Sequence, residues 1–436
     1  MIYLRMNKYS SMRYVVVVFF LLVQVQRCWA QEKSLGHFLT NAEENAPGLL
    51  ENANLQKIGE LQMNIIEAQN RAFQVSASSE VLVAPYFNSN GRFLDVTTNP
   101  SINAIGYDVG ITNGGLYSAQ VNITKNIFNK TIVENLLFQN RLANGSLALG
   151  REELARNLVK NVADLYVFTY QVQLQKQFTL GVIADLEQRL LVMELLVKRG
   201  ILAESDYLAL LTDIGNRRLE LDQLEINYQN LYTQLGNLSG VPLRDFDALS
   251  EPLIEMAPKR DTLLFERRFV LDSLQVVADQ NVFENQYRPQ VSVYGNSGLN
   301  AVDLNNIQRR LGLSAGLRLI VPIYDGNQKK YNRLQNQLRM DNLDAYKKYN
   351  AVQTQNDLQS LLAQIEGQRG YLEQMGEQLR MQSNLLKIYK EKMVQGQATV
   401  IDYLNLVQTY KLTAYAKLQA QTNLWLLYNQ YNFTNR

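Results

Sequence analysis

The stretch Leu313-Ser314-Ala315-Gly316-Leu317-Arg318-Leu319-Ile320-Val321-Pro322-Ile323-Tyr324-Asp325 decides the fold. Leu313, Ala315, Leu317, Leu319, Val321 and Ile323 fall on one parity, while Ser314, Gly316, Arg318 and Ile320 fall on the other. A period of two is the signature of a strand with unlike faces. Just upstream, Val291 and Val293 interleave with Gln290, Ser292 and Tyr294, so a second strand precedes the first. Strands of about 10 residues suit a tilted β-segment crossing a bilayer.

The same pattern occurs earlier in the chain. Lys125-Asn126-Ile127-Phe128-Asn129 lies 196 residues before Val321-Pro322-Ile323-Tyr324-Asp325, and the same offset relates Gly200 to Gly396, Asp206 to Asp402, Tyr207 to Tyr403 and Leu208 to Leu404. One offset held over so long a span marks an internal duplication. It predicts two structural repeats, 31–240 and 259–436, joined by a connector at 241–258 that carries Pro242, Pro252 and Pro258. In the first repeat Tyr117, Ala119, Val121 and Ile123 alternate with Ser118, Gln120, Asn122 and Thr124. Its other strand is expected to open at Pro85, since Pro is tolerated at a strand's first position. The offset from Pro85 to Pro289 then makes the first hairpin loop eight residues longer than the second.

The remainder reads as helix. Residues 129–198 and 327–394 contain no Pro and predict two helices, each roughly 100 Å long at 1.5 Å per residue. Shorter helices are expected over 34–80, 203–238, 259–287 and 399–430. Leu372, Met375, Leu379, Leu386, Tyr389 and Met393 are spaced as in a coiled-coil seam, as are Leu221, Leu224, Tyr228, Leu231, Leu235 and Leu238. Such stripes are core rather than cofactor boxes.

Composition narrows the function. The 436 residues include one His and one Cys, so no metal cluster, Cys-His pair or Ser-His-Asp triad is available beyond a single use of His37. His37 sits near the start of the first helix without a partner constellation, and neither an enzyme nor a cofactor is expected. With 43 basic and 41 acidic side chains, the electrostatic footprint of a nucleic-acid binder is missing. Arg5, Lys8 and Arg13, the apolar run from Val15 to Val25 and the sequence Cys28-Trp29-Ala30 read as a secretory signal peptide over 1–30. No later segment has 18 consecutive apolar residues, so any membrane passage must be by strands. Four strands cannot close a barrel and would leave exposed edges, which requires several copies to share one sheet.

These residues resemble the TolC-like outer-membrane efflux proteins. The resemblance rests on Ser34-Leu35 with Glu44-Asn45-Ala46-Pro47, on Arg288-Pro289-Gln290-Val291-Ser292, on Pro322-Ile323-Tyr324-Asp325-Gly326 and on the two Gly-to-Asp turns. Leu235-Gly236-Asn237-Leu238-Ser239-Gly240-Val241-Pro242 is similar to the family's end to its first repeat. The resemblance implies a mainly α protein with transmembrane β-structure. In it a homotrimer forms a 12-stranded outer-membrane β-barrel, four strands per chain, continuous with a periplasmic α-helical coiled-coil barrel. The implied role is a passive exit duct of a tripartite efflux or type I secretion system, joined by a periplasmic adaptor (membrane fusion protein) to an inner-membrane pump.

By position the family's closing residues fall on Asp206, Asp402 and Asn405, with Lys198, Arg199 and Lys392 as nearby basic partners and Gly200 and Gly396 as the tips that meet adaptors. Asn405 departs from the acidic pattern, and Ala398 and Met393 stand where members carry gating Arg and Tyr. Asp206 and Asp402 have a second reading as carboxylates at helix N-termini, favourable near the positive end of the helix dipole. Strand alternation places Leu313, Leu317, Leu319, Val121 and Ile123 toward lipid, and Ser314, Arg318, Gln120 and Asn122 toward a water-filled lumen. The competing class is an exported coiled-coil stalk or adhesin without transport, which has no need of four lipid-length strands.

Overall fold

A computed structural model describes residues 33–106, 115–242, 245–258, 264–302, 304–395 and 397–435. The signal-peptide segment and Gly396 lie outside the described residues. In chain order the elements are α1 (Leu35–Asn45), α2 (Pro47–Arg71), β1 (Gln74–Val83), β2 (Tyr86–Ser89), β3 (Arg92–Asp95), β4 (Gly115–Ile127), α3 (Lys130–Lys198), α4 (Glu204–Ser239), α5 (Leu264–Glu284), β5 (Gln290–Ala301), β6 (Leu311–Ile320), α6 (Gln328–Val394) and α7 (Val400–Thr434).

The chain forms two compact units. One comprises 52–150 and 265–348 and contains the sheets; the other comprises the residues up to Glu51, Arg151–Leu264 and Tyr349–Arg436 and is helical. The helical unit has its core where α1, α3 and α4 meet: Phe38, Tyr166 and Tyr232 are fully buried, with Leu235 and Leu249 beside them. Lys33 is bridged to Leu249 of the connector, and the Tyr166 hydroxyl donates to the Lys33 carbonyl at 2.9 Å. Aromatic packing and backbone bonding thus fasten the connector to the helices.

Local chemistry sets the helix ends. The Ser34 hydroxyl accepts the His37 amide at α1's start, which is the use the fold makes of His37's backbone. Pro47 starts α2 and drives Ala46 to an extended ψ of 115°, so the expected 34–80 helix is broken at that point. α4 closes on Gly240, whose φ is 66° and whose successor Val241 donates to Gly236 at 3.0 Å.

The main sheet has the order β1-β4-β5-β6, antiparallel throughout. The first strand differs from the expectation. Gln74–Val83, whose residues as far as Glu80 fall within the expected 34–80 helix, is the strand that pairs with β4, and the segment after Pro85 forms a separate β2-β3 hairpin. Ser76-Ala77-Ser78-Ser79-Glu80 suits a helix as well as a strand, and only pairing with β4 decides between them. The connection from β1 to β4 therefore runs over 84–114, against 302–310 between β5 and β6. β4 continues through Asn126 to Ile127, whereas β6 stops at Ile320, two residues before Pro322, which lacks the N–H for the ladder.

Candidate functional site

The ladder registers sort the sheet into two faces. Along one line Ala77, Val121 and Ser297 are level and Ser297 faces Leu313; along another Val75, Ile123 and Gly295 precede Ala315. Every residue on this face is apolar or small except Tyr117, Lys125, Ser79 and Ser297, and Leu313, Leu317 and Leu319 are 84%, 72% and 65% exposed. The other face carries Ser78, Gln120, Asn122, Asn296, Ser314 and Arg318 among its polar groups, with Asn122 donating to the Ser78 hydroxyl at 2.8 Å. The predicted partition of Leu313, Leu317, Leu319, Val121 and Ile123 from Ser314, Arg318, Gln120 and Asn122 is thus the partition of the folded sheet.

Arg318 lies over the ring of Tyr294, its guanidinium 5.5 Å from the centroid. Gly316 makes room for that ring, because a Cβ there would meet the Tyr294 hydroxyl at 2.5 Å. At the end of the sheet that leads into the helices, Phe73, Phe128 and Tyr324 are exposed, and Lys125 lies 4.5 Å from the Phe73 centroid.

The helical unit holds both long-helix turns. After α3, Gly200 has φ of 69° and Ile201 donates to the Leu196 carbonyl at 2.9 Å. After α6, Gln397 donates to the Lys392 carbonyl at 2.8 Å, donor and acceptor each lying 196 residues after those of the first bond. Both bonds span six residues, and at the first turn the bond closes the helix through the left-handed Gly200. Met193, Leu210 and Ile214 of the first turn share one core with Met393, Val400 and Tyr403 of the second.

The expected acidic residues have different settings. The Asp402 carboxylate accepts from the Thr399 hydroxyl at 2.7 Å and from its amide at 3.3 Å, and the Thr399 hydroxyl accepts the Asp402 amide, which completes a capping box. Asp206 occupies the same place in α4, but Ala203 stands where Thr399 does, so that box is missing. Asn405 is exposed on α7. Lys198 is paired with Glu194 at 2.7 Å within α3, Lys392 lies 6.0 Å from the Tyr389 ring centroid, and Arg199 is exposed.

The groups that join the helices here escaped the sequence reading. Asp185 accepts two side-chain nitrogens of Arg189, the Tyr403 hydroxyl at 3.0 Å, and lies 3.8 Å from the Lys390 ammonium. Arg189 also lies 4.8 Å from the Tyr403 ring centroid. Burial opposes ionisation of Asp185, yet the Arg189 hydrogen bonds and charge prevail and hold its carboxyl below the ordinary range. Burial raises the Tyr403 hydroxyl, which stays a donor. Asp185, Arg189 and Lys390 border a cavity of about 190 Å³ with Met193, Leu202 and Met393. Asp185-x-x-x-Arg189 is visible as an i,i+4 pair, but sequence spacing does not show that Arg189 is buried. Arg217, equally buried, joins Asp213 to Gln408 of α7.

Neither a sequence-family model nor a curated protein sequence matches the chain. Solved structures do. CusC, described in terms of folding and transmembrane channel formation, is 12% identical, with 94% of this chain and 93% of that chain covered and a TM-score of 0.71. The Campylobacter jejuni CmeC outer-membrane channel is 13% identical over 92% of this chain and 85% of that one, with a TM-score of 0.71. The open state of the Neisseria gonorrhoeae MtrE outer-membrane channel gives 15%, 92%, 88% and 0.68 in the same order. The chain has the TolC-like channel fold. That fold accounts for a sheet with two unlike faces alongside long paired helices within one chain, and it spans nearly the full length of each compared structure. TolC-like architecture also gives the two Gly-to-Asp turns a common setting, since both feed the same core.

Proposed function

We propose that the protein is a homotrimeric exit duct in the bacterial outer membrane, a passive conduit in a tripartite efflux or type I secretion system. The observation that carries this reading is the sheet: an exposed apolar face, a polar face and two edge strands that are unpaired among the described residues. An apolar band suits lipid, a polar face suits a water-filled lumen, and ring closure through copies removes the edges. Phe73, Phe128 and Tyr324 then sit where aromatic residues collect at a membrane interface. A stalk without transport has no use for either face.

In this reading the repeats 31–240 and 259–436 supply two strands and a helical hairpin each, with 241–258 as connector. A periplasmic adaptor meets the turns at Gly200 and Gly396, and an inner-membrane pump beyond it supplies the energy. Asp206, Asp402 and Asn405 line the periplasmic aperture, with Lys198, Arg199 and Lys392 as its basic partners. The capping box does not exclude Asp402 from this role, because a carboxylate has about four acceptor sites. Three copies of Asp402 form a negative ring that favours cations.

Reconstitution of the detergent-extracted protein in a planar bilayer tests the proposal. Ion conductance with a cation preference that falls in Asp402→Asn is the expected result. An oligomer that never conducts, even in Asp206→Ala, would leave the stalk reading.

A further inference from the structure

We infer that a second copy of this chain pairs its β1 with the β6 of its neighbour, and that Glu80 and Arg318 form an ion pair across that seam. The inference rests on the oligomeric duct proposed above and specifies how its copies join. Two independent features of the sheet lead to it.

The first is charge. Along the polar face of the four strands, Glu80 and Arg318 are the charged residues, of opposite sign, one on each edge strand. Within the chain they stand at opposite edges of the sheet, and neither has an ion-pair partner among the described residues. Tyr294 lies across Gly316 and supports the Arg318 guanidinium. A charge on each free edge is the arrangement that selects a heterologous, head-to-tail neighbour over a face-to-face one.

The second is register. Gln74 is level with Thr124, Tyr294 and Gly316, yet β6 runs on for Leu317, Arg318, Leu319 and Ile320. At the other end Leu311 is level with Leu299, Ala119 and Ser79, yet β1 runs on for Glu80, Val81, Leu82 and Val83. Strands therefore step toward the helix-bearing end by four residues over three pairings. Such a stagger is the tilt that a closed barrel requires. Carrying the same step across the seam, and keeping apolar residues on one face, sets Glu80 opposite Gly316 and Ser78 opposite Arg318. Glu80 and Arg318 are then diagonal neighbours at roughly 7–8 Å between backbones, within reach of two long side chains. The space over Gly316 is taken by the Tyr294 ring, which backs the Arg318 guanidinium. Arg310, just ahead of β6, is six residues from that position and out of reach.

Charge exchange tests the pair. Glu80→Arg and Arg318→Glu each place like charges at the seam and are expected to reduce SDS-resistant trimer, and the double variant Glu80→Arg/Arg318→Glu is expected to restore it. Arg310→Glu should leave it unchanged. A double variant no better than the worse single, beside a wild type that is trimeric, overturns the ion pair alone. A wild type that never oligomerises overturns the duct as well. Should the charge variants fail to fold, Ser79→Cys/Leu317→Cys reads the register on the apolar face: oxidation should link copies into a dimer and trimer ladder, and no ladder from a trimeric protein overturns the pairing.

Discussion

The Tyr403 hydroxyl donates to the Asp185 carboxylate over 3.0 Å, joining residues 218 positions apart and fixing the start of α7 against the last turns of α3. Arg189 completes the arrangement from the other side of the same carboxylate. Tyr403→Phe keeps the ring and deletes the donor, so a loss of about 1 kcal/mol is expected. Thermal unfolding followed by far-UV circular dichroism in detergent measures it, and an unchanged midpoint would assign the bond no role.

Asp185 also gives a pH dependence with a definite sign. Its folded carboxyl titrates below the unfolded value of 3.8, so the stabilisation is complete above that value and is lost as pH falls through the folded one. Glu284, held to about 2 chiefly by its hydrogen bonds to Arg333, acts in the same direction from the sheet-bearing unit. Between pH 5 and pH 2, Asp185→Asn should show a shallower fall in unfolding midpoint than wild type. Equal slopes would exclude Asp185 as a contributor.

The unequal caps of α4 and α7 offer a gain. Ala203→Thr recreates before α4 the box that Thr399 and Asp402 make before α7, and Asp206 is already in place. The variant should be more stable by about 0.5–1 kcal/mol, and Thr399→Ala less stable by a similar amount. Urea unfolding of both proteins checks the opposite signs.

Two glycines of the sheet should differ sharply. A Cβ at Gly298 would lie 2.2 Å from the Ala119 carbonyl oxygen on the paired strand, while one at Gly312 meets nothing within 4 Å. Gly298→Ala should abolish folded, membrane-inserted protein, and Gly312→Ala should insert normally. Heat-modifiable mobility on gels distinguishes the two.

On the apolar face, Leu317→Arg should cost about 2–4 kcal/mol if the residue lies at mid-bilayer depth. A polar-face exchange on the same strand, Ser314→Arg, should leave insertion intact. Comparable loss in both would contradict the assignment of faces.

Much of this was legible in the sequence because it depends on period and repetition. Val121 with Ile123 and Leu317 with Leu319 alternate strongly, and the expected helices 129–198 and 327–394 agree with α3 and α6 to one residue at the start. β1 was missed because its Ser and Ala residues carry little strand preference and its identity comes from β4 alongside. The Asp185, Arg189 and Tyr403 contact was invisible for a related reason. Its members lie on different helices, and no local pattern records which i,i+4 pair becomes buried between them. The place of Asp402 in the first turn of a helix was legible, and Thr399-x-x-Asp402 is itself a capping pattern in the sequence, so the engagement of the Thr399 hydroxyl was overlooked rather than hidden.

The free edges of β1 and β6 bear on how the protein is made. In the trimeric duct proposed above, a single chain before assembly carries two rows of unsatisfied N–H and C=O groups beside an apolar surface, and water is a poor place to keep them. Its lifetime before meeting other copies is then a race against aggregation and proteolysis, won more often as copy number rises. Stability of one chain has no value apart from concentration. In that duct, expression level as well as sequence sets the yield of assembled protein.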